Sequence, residues 1–404
     1  IPATWSEEDA RAVIGLRYEM DLRGLIGSLP NHVFLSDVSD QALSAIVELN
    51  IPGMFVEKTT VREYNTKYAA HILGSMGAIN ADQWPEYKEK GYAMDAWVGQ
   101  TGFEKAFEEE LHAIDGTRVD VVDREGTIIE QYWAKIRDED KNVIGYKVPQ
   151  AGNNVETTID IELQAVAEDA LGRLMKDLTN PMVNTTQEGL DAEGAAVIVM
   201  DIKTGEVLAC ASYPTYNLAT MHEDWKDIEE NPYNPFFNRA FGAEYPPGST
   251  FKMCTLIAAM ENKNSKGEII HPYGTEIKDE GIYTKYQGFN PTCLAWTSGG
   301  YTHGEIDGSY ALCYSCNYFF YEVGRLMGID TLESYARQFG FGQSTGIEIG
   351  DSAGALASPE YAKSHGLEWT DGQTLTAAIG QSYNLFTPLQ LAVYVNTLAN
   401  EGKR

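Results

Sequence analysis

The chemistry in this sequence centres on a serine and a lysine in the stretch Tyr245-Pro-Pro-Gly-Ser-Thr-Phe-Lys-Met-Cys254. The Pro-Pro-Gly segment predicts a turn, and the apolar residues after it predict a buried helix face. Ser249 would then lie at the helix N-terminus, with Lys252 one turn on, at the edge of the apolar face. Burial lowers the pKa of a lysine, and a neutral amine near a serine hydroxyl can accept its proton. The pair therefore predicts a nucleophile for acyl transfer.

A second polar motif, Ser315-Cys316-Asn317, follows downstream in an apolar stretch. Alone, S-x-x-K is expected about once by chance in a chain of this length, and Ser315 and Asn317 also fit a pair of buried polar residues bonded to backbone. Together and in this order, the two motifs resemble the S-x-x-K and S-x-N motifs of the penicillin-binding proteins and serine β-lactamases. The resemblance implies a serine acyltransferase.

The third motif of that set, Lys-Thr-Gly, occurs as Lys203-Thr204-Gly205, but we interpret it as a turn. In the family this motif follows S-x-N and lies on an inner strand beside the nucleophile. Here it precedes Ser249 and falls at the turn between two apolar runs, 195–200 and 206–211, which predict antiparallel strands. Lys-Thr-Gly is favourable at such a reversal, so we assign it no catalytic role.

The 404-residue chain has an ordinary globular composition, with 43% hydrophobic residues and a formal net charge of −29. Its length predicts two or three domains with substantial cores. The excess of 59 acidic over 30 basic residues opposes binding to nucleic acid or to an anionic membrane surface, since both are polyanions. No apolar run approaches the roughly 20 residues of a membrane span.

The five cysteines show no disulfide framework. Cys313-Tyr-Ser-Cys316 has C-x-x-C spacing, but its apolar helical setting differs from that of a redox motif. A zinc site is the other alternative. Its compatible ligands are Cys293, His303, Asp307 and Cys313, although their irregular spacing matches no standard site. The predicted site therefore includes no metal.

Local signals predict both helices and strands. N-cap residues and the apolar periodicity behind them predict helix starts at Ser6, Asp160 and Thr387. The segments 117–122 and 127–133 flank the turn sequence Asp123-Arg-Glu-Gly126 and predict a hairpin. Pro149-Gln-Ala-Gly-Asn-Asn154 is polar and rich in turn residues, which predicts a domain boundary there.

Segments before that boundary extend the resemblance to the class B penicillin-binding proteins. Three segments are similar to successive signatures of that family's non-catalytic pedestal. They are Arg62-Glu-Tyr64, Ala69-Ala-His-Ile-Leu-Gly74 and Gly99-Gln-Thr-Gly-Phe-Glu-Lys105. The resemblance implies a pedestal (dimerisation-type) domain at 1–150 and a transpeptidase domain at 151–404. The implied fold class is α+β: helices packed on an antiparallel sheet, preceded by an elongated α+β pedestal.

The resemblance also implies a role for each motif residue. Ser249 would attack the penultimate D-alanine carbonyl of a donor stem peptide, and Lys252 would take the serine proton. Ser315 would relay a proton to the leaving nitrogen, and Asn317 would bind the substrate amide and orient Lys252. An acceptor amine would resolve the acyl-enzyme, β-lactams would acylate the same serine, and no cofactor would be needed. Substrate-binding residues would be Gly248, Thr250, Gly380 and Gln381.

Two segments look more like the elongation (rod-shape) branch of the family than the division or sporulation branches. They are the turn before the nucleophile and the late segment Asn384-Leu-Phe-Thr-Pro-Leu-Gln-Leu-Ala392. Implied partners are peptidoglycan stem peptides, β-lactams, a membrane glycosyltransferase and shape-determining membrane proteins. The implied location is the extracytoplasmic face of the bacterial cell membrane, through an anchor that this chain lacks.

The sequence ends at Lys403-Arg404, before the third catalytic motif expected in this family. We therefore expect a C-terminally truncated part of a longer protein, inactive by itself. Two alternatives are a serine β-lactamase or D,D-carboxypeptidase, which the long pedestal disfavours, and a catalytically inactive β-lactam sensor or scaffold.

Overall fold

The structure, a computed structural model, describes residues 4–25, 32–35, 38–49, 51, 54, 56, 62–94, 96–124 and 128–404. The chain forms two compact units, one from 1–62 and 115–150 and the other from 63–114 and 151–404. Each unit combines helices with antiparallel strand pairs, which confirms the predicted α+β class. The domain division at residue 150 stays a prediction.

The described elements follow one another along the chain. They are α1 (Glu7–Leu25), α2 (Asp40–Leu49), α3 (Ala70–Leu73), β1 (Met76–Ala78), α4 (Trp84–Glu89), β2 (Trp97–Gly99), α5 (Gly102–Ala106), α6 (Glu108–Leu111), β3 (Arg118–Val122), β4 (Ile128–Trp133), β5 (Lys135–Arg137), β6 (Val143–Tyr146), α7 (Ile161–Leu178), β7 (Ala195–Met200), β8 (Val207–Tyr213), α8 (Trp225–Glu229), α9 (Arg239–Gly242), a 3₁₀ turn (Gly248–Phe251), α10 (Lys252–Glu261), β9 (Ile277–Asp279), α11 (Leu294–Gly299), β10 (Gly304–Ile306), α12 (Gly308–Cys313), α13 (Asn317–Met327), α14 (Ile329–Gln338), α15 (Pro359–Ser364), α16 (Asp371–Ala378) and α17 (Pro388–Ala399).

The first unit is built from α1, α2 and two hairpins. The Ser6 hydroxyl accepts a hydrogen bond from the Asp9 backbone N–H at 3.0 Å, which confirms the predicted start of α1. Strands β3 and β4 pair antiparallel, with Arg118 opposite Trp133, so the predicted hairpin is confirmed, although residues 125–127 of its turn lie outside the described residues. Strands β5 and β6 form the second hairpin.

In the second unit, β7 and β8 form an antiparallel pair, with Ala195 opposite Tyr213, as the two apolar runs predict. Helix α7 packs on β8, with Leu171 buried beside Ala209 and Ala211. The Asp160 carboxylate accepts from the first backbone N–H groups of α7, which confirms that helix start. Helix α17 packs on β7.

The turn between β7 and β8 holds Lys203-Thr204-Gly205. Asp201 accepts from the backbone N–H groups of Lys203 and Thr204, both at 2.8 Å, and Gly205 has a φ of +77°. The segment is therefore a strand reversal, as interpreted from the sequence.

The largest apolar core lies around α10, α13 and α16 and includes Phe251, Phe320 and Phe386, all fully buried. Tyr245 pairs with Phe386 through two backbone hydrogen bonds of 2.9 Å, which fixes the chain entering the turn before α10. Among the described residues, no helix combines the length and apolarity needed to cross a membrane.

Candidate active site

Ser249 lies in the 3₁₀ turn that leads into α10, and it is exposed. Gly248, just before it, has a φ of +57°, a conformation that glycine adopts without a steric penalty. The Tyr394 hydroxyl accepts from the Cys254 N–H at 2.9 Å and donates to the Thr250 carbonyl at 3.2 Å, so α17 holds the start of α10. The nucleophile candidate therefore projects from a rigid support.

Lys252 begins α10, and its side chain is 1% exposed. Its ammonium donates to the Ser315 carbonyl at 2.9 Å, to Ser315 Oγ at 3.1 Å and to Asn317 Oδ1 at 2.6 Å. It also lies 5.4 Å from the centre of the Phe320 ring. The structure thus brings the S-x-x-K lysine and both polar residues of S-x-N together.

Ser315 connects this lysine to the nucleophile candidate. Its hydroxyl donates to Ser249 Oγ at 2.9 Å, so a continuous row of hydrogen bonds runs from Lys252 through Ser315 to Ser249. Ser315 has a φ of +53° and lies between α12 and α13, where its N–H donates to the Leu312 carbonyl at 3.1 Å. A non-glycine residue in this conformation is strained, and such strain often accompanies function.

Burial lowers the pKa of Lys252 to about 8. The nearby Cys316 and Cys293 raise this pKa, but by less than burial lowers it. A lysine with this pKa is about one-tenth neutral at pH 7. Because a neutral amine accepts a proton, the geometry and the pKa together suit Lys252 to act as a general base.

The four residues predicted to bind substrate lie beside this row. The Gly248 N–H donates to the Gly380 carbonyl at 2.8 Å, and a Cβ on Gly380 would lie only 2.1 Å from the Gly248 oxygen. The Thr250 hydroxyl donates to the Pro247 carbonyl at 2.7 Å, and Gln381 is exposed. Gly380 thus supports the turn of the nucleophile by close backbone contact, and the substrate-binding role of the four stays a prediction.

A second cluster lies beside S-x-N, made of Asp279, Cys293, His303 and Cys316, whose candidate ligand atoms are all within 4.8 Å of one another. Cys293 Sγ lies 3.8 Å from Cys316 Sγ and 3.7 Å from His303 Nδ1. Asp279 Oδ2 lies 3.6 Å from Cys316 Sγ and 2.8 Å from His303 Nδ1. Tetrahedral zinc, with bonds of about 2.0–2.3 Å, places its ligand atoms about 3.3–3.8 Å apart.

This cluster differs from the zinc ligand set considered from the sequence. Cys293 and His303 belong to it, but Asp307 caps α12 by accepting from the Tyr310 N–H at 3.0 Å, and Cys313 is exposed. Sequence spacing does not reveal Asp279, which comes from β9, and Cys316 is the middle residue of S-x-N. The structure therefore brings together four zinc-compatible side chains immediately behind the active-site candidate.

Two protein-family models match this chain. The family described as "Penicillin binding protein transpeptidase domain" matches residues 195–404, and "Penicillin-binding Protein dimerisation domain" matches residues 15–156. The chain is 30% identical to peptidoglycan D,D-transpeptidase MrdA of Acinetobacter baumannii, over 88% of this chain and 48% of that protein. Stage V sporulation protein D of Bacillus subtilis is 26% identical over 90% of this chain and 47% of that protein. The chain spans about half the length of these curated relatives.

Solved structures give the same result. Penicillin-binding protein 2 of Helicobacter pylori, in complex with MreC, has a TM-score of 0.73 and 23% identity, over 99% of this chain and 72% of that one, which supports the fold. A chain of a peptidoglycan synthase complex that coordinates polymerization and crosslinking has a TM-score of 0.70 and 27% identity. The match covers 95% of this chain and 64% of that one. The resemblance inferred from the motifs, including the lean towards the elongation branch, is therefore confirmed.

Proposed function

Because this chain belongs to the penicillin-binding protein transpeptidase domain family, we propose that the whole protein is a peptidoglycan D,D-transpeptidase of the elongation branch with Ser249 as its nucleophile. The observation that carries the proposal is the hydrogen-bonded row from buried Lys252 through Ser315 to exposed Ser249. Such a row is the arrangement by which a base activates a hydroxyl.

In the first step, Ser249 Oγ attacks the carbonyl carbon of the penultimate D-alanine of a donor stem peptide. Its proton passes to neutral Lys252, directly or through the rotatable Ser315 hydroxyl. The tetrahedral intermediate collapses when the protonated lysine, through Ser315, gives a proton to the departing D-alanine nitrogen. An ester on Ser249 remains.

In the second step, the amine of an acceptor stem peptide attacks that ester. The same row takes the amine proton and returns one to Ser249 Oγ, so the free hydroxyl is regenerated. Asn317 orients Lys252 through the 2.6 Å hydrogen bond, and its amide would donate to the substrate carbonyl. Gly248, Thr250, Gly380 and Gln381 would line the remainder of the substrate site.

The proposed partners are based on complexes in which related proteins have been solved. A shape-determining protein of the MreC kind and a peptidoglycan-polymerising partner are proposed because solved relatives occur in such complexes. The proposed location is the extracytoplasmic face of the bacterial membrane, where peptidoglycan is made.

The test is covalent labelling of the whole protein by a fluorescent penicillin. Wild type should label and Ser249→Ala should not, whereas Lys203→Ala, in the turn of the unused Lys-Thr-Gly, should label normally. Labelling that persists in Ser249→Ala would refute the assignment. Rapid steady-state hydrolysis of nitrocefin would instead favour a β-lactamase, and folded wild type that never labels would favour an inactive scaffold.

We also propose that Asp279, Cys293, His303 and Cys316 bind a structural zinc ion, because their candidate ligand atoms lie within 4.8 Å of one another and three of the separations, 3.6–3.8 Å, match a tetrahedral site. Four protein ligands leave no open position for catalysis, so the ion would hold the S-x-N segment through Cys316. Metal analysis of the purified protein should find about one zinc per chain. Cys293→Ser should lose it, and Cys313→Ser, which changes an exposed thiol outside the cluster, should keep it. Wild type that takes up no zinc would contradict this proposal.

A further inference from the structure

A tyrosine on another helix takes part in the first turn of α10. In a regular α-helix, the Cys254 N–H would bond the Thr250 carbonyl, four residues earlier. Here the Tyr394 hydroxyl, from α17, bonds both groups: it accepts from the Cys254 N–H at 2.9 Å and donates to the Thr250 carbonyl at 3.2 Å. A side chain that inserts in this way changes the local geometry of a helix. The hydroxyl therefore acts on the turn that carries Ser249.

The turn that carries Ser249 has 3₁₀ geometry and spans Gly248–Phe251. The Lys252 N–H donates to the Ser249 carbonyl, three residues earlier, so the turn joins the two residues of the proposed proton transfer. In a 3₁₀-helix, side chains three residues apart eclipse one another. In an α-helix, with its 3.6 residues per turn, they lie about 60° apart. The 3₁₀ turn thus brings the side chains of Ser249 and Lys252 closer to one line along the helix.

The hydrogen-bonded row described above requires this alignment. The Ser315 hydroxyl lies 2.9 Å from Ser249 Oγ and 3.1 Å from Lys252 Nζ, so both side chains must point towards the same hydroxyl. If Ser249 rotated about the helix axis relative to Lys252, its Oγ would move away from Ser315. In a positioned site, a displacement of about 1 Å can reduce a rate about 10²-fold. The geometry of this single turn therefore affects the rate of the reaction.

Tyr394 is fully buried, and aromatic neighbours hold its ring. It packs edge-on against Phe339, with ring centres 5.1 Å apart and planes at 89°, and against Phe341 at 5.1 Å. Its helix, α17, begins with a capping box formed by Thr387 and Gln390. The hydroxyl is thus presented to α10 from a rigid support.

We infer that Tyr394 is a positioning residue, whose hydroxyl holds the start of α10 in the 3₁₀ turn that aligns Ser249 with Lys252 and so speeds acylation. The effect on acylation rests on the proposed function. Without the hydroxyl, the Cys254 N–H and the Thr250 carbonyl can bond each other directly, as in an α-helix. The helix then stays folded, but Ser249 turns away from the row. Because Tyr394 is fully buried, it acts without touching the substrate.

The experiment compares the whole protein with its Tyr394→Phe variant, which keeps the ring and loses the hydroxyl. Acylation by a fluorescent penicillin is followed by stopped flow over a range of penicillin concentrations. We expect the first-order rate constant of acylation to fall at least about tenfold. The dissociation constant of the non-covalent complex and the final extent of labelling should not change. The pH midpoint of the rate should stay near 8, since Lys252 remains buried.

Tyr283→Phe is the matched control. Tyr283 is also fully buried, and its hydroxyl donates to Glu322 at 2.5 Å, but neither residue belongs to the row. This variant should have a lower melting temperature and a wild-type rate constant of acylation. It therefore separates a loss of alignment from a general loss of stability.

The outcomes separate this inference from the proposed function. Folded wild type that is never acylated would contradict the proposed function, whatever Tyr394 does. Wild type that is acylated, together with an unchanged rate constant in Tyr394→Phe, would overturn the inference about Tyr394 alone. A fall in the final extent of labelling without a fall in the rate constant would also overturn it, because fewer folded molecules would then explain the loss. An equal fall in the rate constant of Tyr283→Phe would do the same.

Discussion

The Ser315 hydroxyl lies 2.9 Å from Ser249 Oγ, between that oxygen and the Lys252 ammonium at 3.1 Å. The serine of S-x-N is thus a bridge between the proposed base and the proposed nucleophile. Its left-handed backbone, with φ of +53°, is what turns the hydroxyl of a residue between two helices towards the start of a third.

Removal of the Ser315 hydroxyl should reduce the rate of acylation and leave the fold intact. In Ser315→Ala, we expect acylation by penicillin to fall by about 10²-fold, the scale of a lost proton-transfer group. Ser315→Gly is the control, because it also lacks the hydroxyl but tolerates the positive φ. Both should show the same loss of rate, with Ser315→Gly at least as stable to heat. A wild-type rate in both variants would show that Lys252 reaches Ser249 without the bridge.

The pH dependence of acylation should report Lys252. Burial lowers the pKa of this lysine from 10.5 to about 8, and only the neutral amine accepts a proton. The second-order rate constant should therefore rise with pH, with a midpoint near 8, and level off above it. Stopped-flow acylation across about pH 6–10 measures this. A midpoint near 10.5 would mean that the lysine is not buried as described.

A single isosteric change should move that midpoint. Asn317 Oδ1 lies 2.6 Å from Lys252 Nζ, so Asn317→Asp places a carboxylate against the ammonium. An adjacent opposite charge raises the pKa of a lysine. We expect the midpoint to shift upward and the rate at neutral pH to fall, with partial recovery at high pH. Asn317→Ala, which adds no charge, should lower the rate without the upward shift.

Much of this architecture was predictable because its signals are local. A cap such as Ser6 or Asp160, an apolar run such as 195–200, and a proline-glycine turn before Ser249 each depend on neighbouring residues alone. The break at Ser315 was not predictable, since the segment around it reads as one continuous apolar stretch. Nor was the place of Asp279, which reaches Cys316 only through the tertiary fold.

Gly380 should tolerate no side chain, because of its contact with the turn of the nucleophile. Its φ is +75°, and an added Cβ would lie 2.1 Å from the Gly248 oxygen and 2.8 Å from Phe251 Cβ. Gly380→Ala should reduce acylation at least tenfold and lower the melting temperature. Gly366→Ala is matched, with a φ of +68° but no atom within 4 Å of the added Cβ. It should cost only about 1–2 kcal/mol of strain and leave acylation unchanged. Equal effects of the two variants would show that strain, and not the contact, matters.

Glu322, on the helix that begins at Asn317, should be an important source of stability at neutral pH. Its carboxylate accepts from the Tyr283 hydroxyl at 2.5 Å, from Lys285 at 2.6 Å and from Arg325 at 2.9 and 3.0 Å. Burial alone would raise the pKa of Glu322, but these donors overcome it and lower the pKa from 4.5 to about 2. The resulting stabilisation is present above pH 4.5 and is lost as the pH falls towards 2.

Glu322→Gln should therefore lower the free energy of unfolding by about 2–4 kcal/mol at neutral pH, allowing for the half-exposed lysine partner. Glu333→Gln, which removes a more exposed pair with Arg337, should cost about 1 kcal/mol or less. Urea unfolding at a series of pH values measures both. The difference between wild type and Glu322→Gln should shrink as the pH falls from 4.5 towards 2, because the carboxyl of the unfolded wild type takes up a proton below pH 4.5 while the folded carboxylate stays ionised to about pH 2. A difference that stays constant down to acid pH would mean that Glu322 acts through packing and not through its charge.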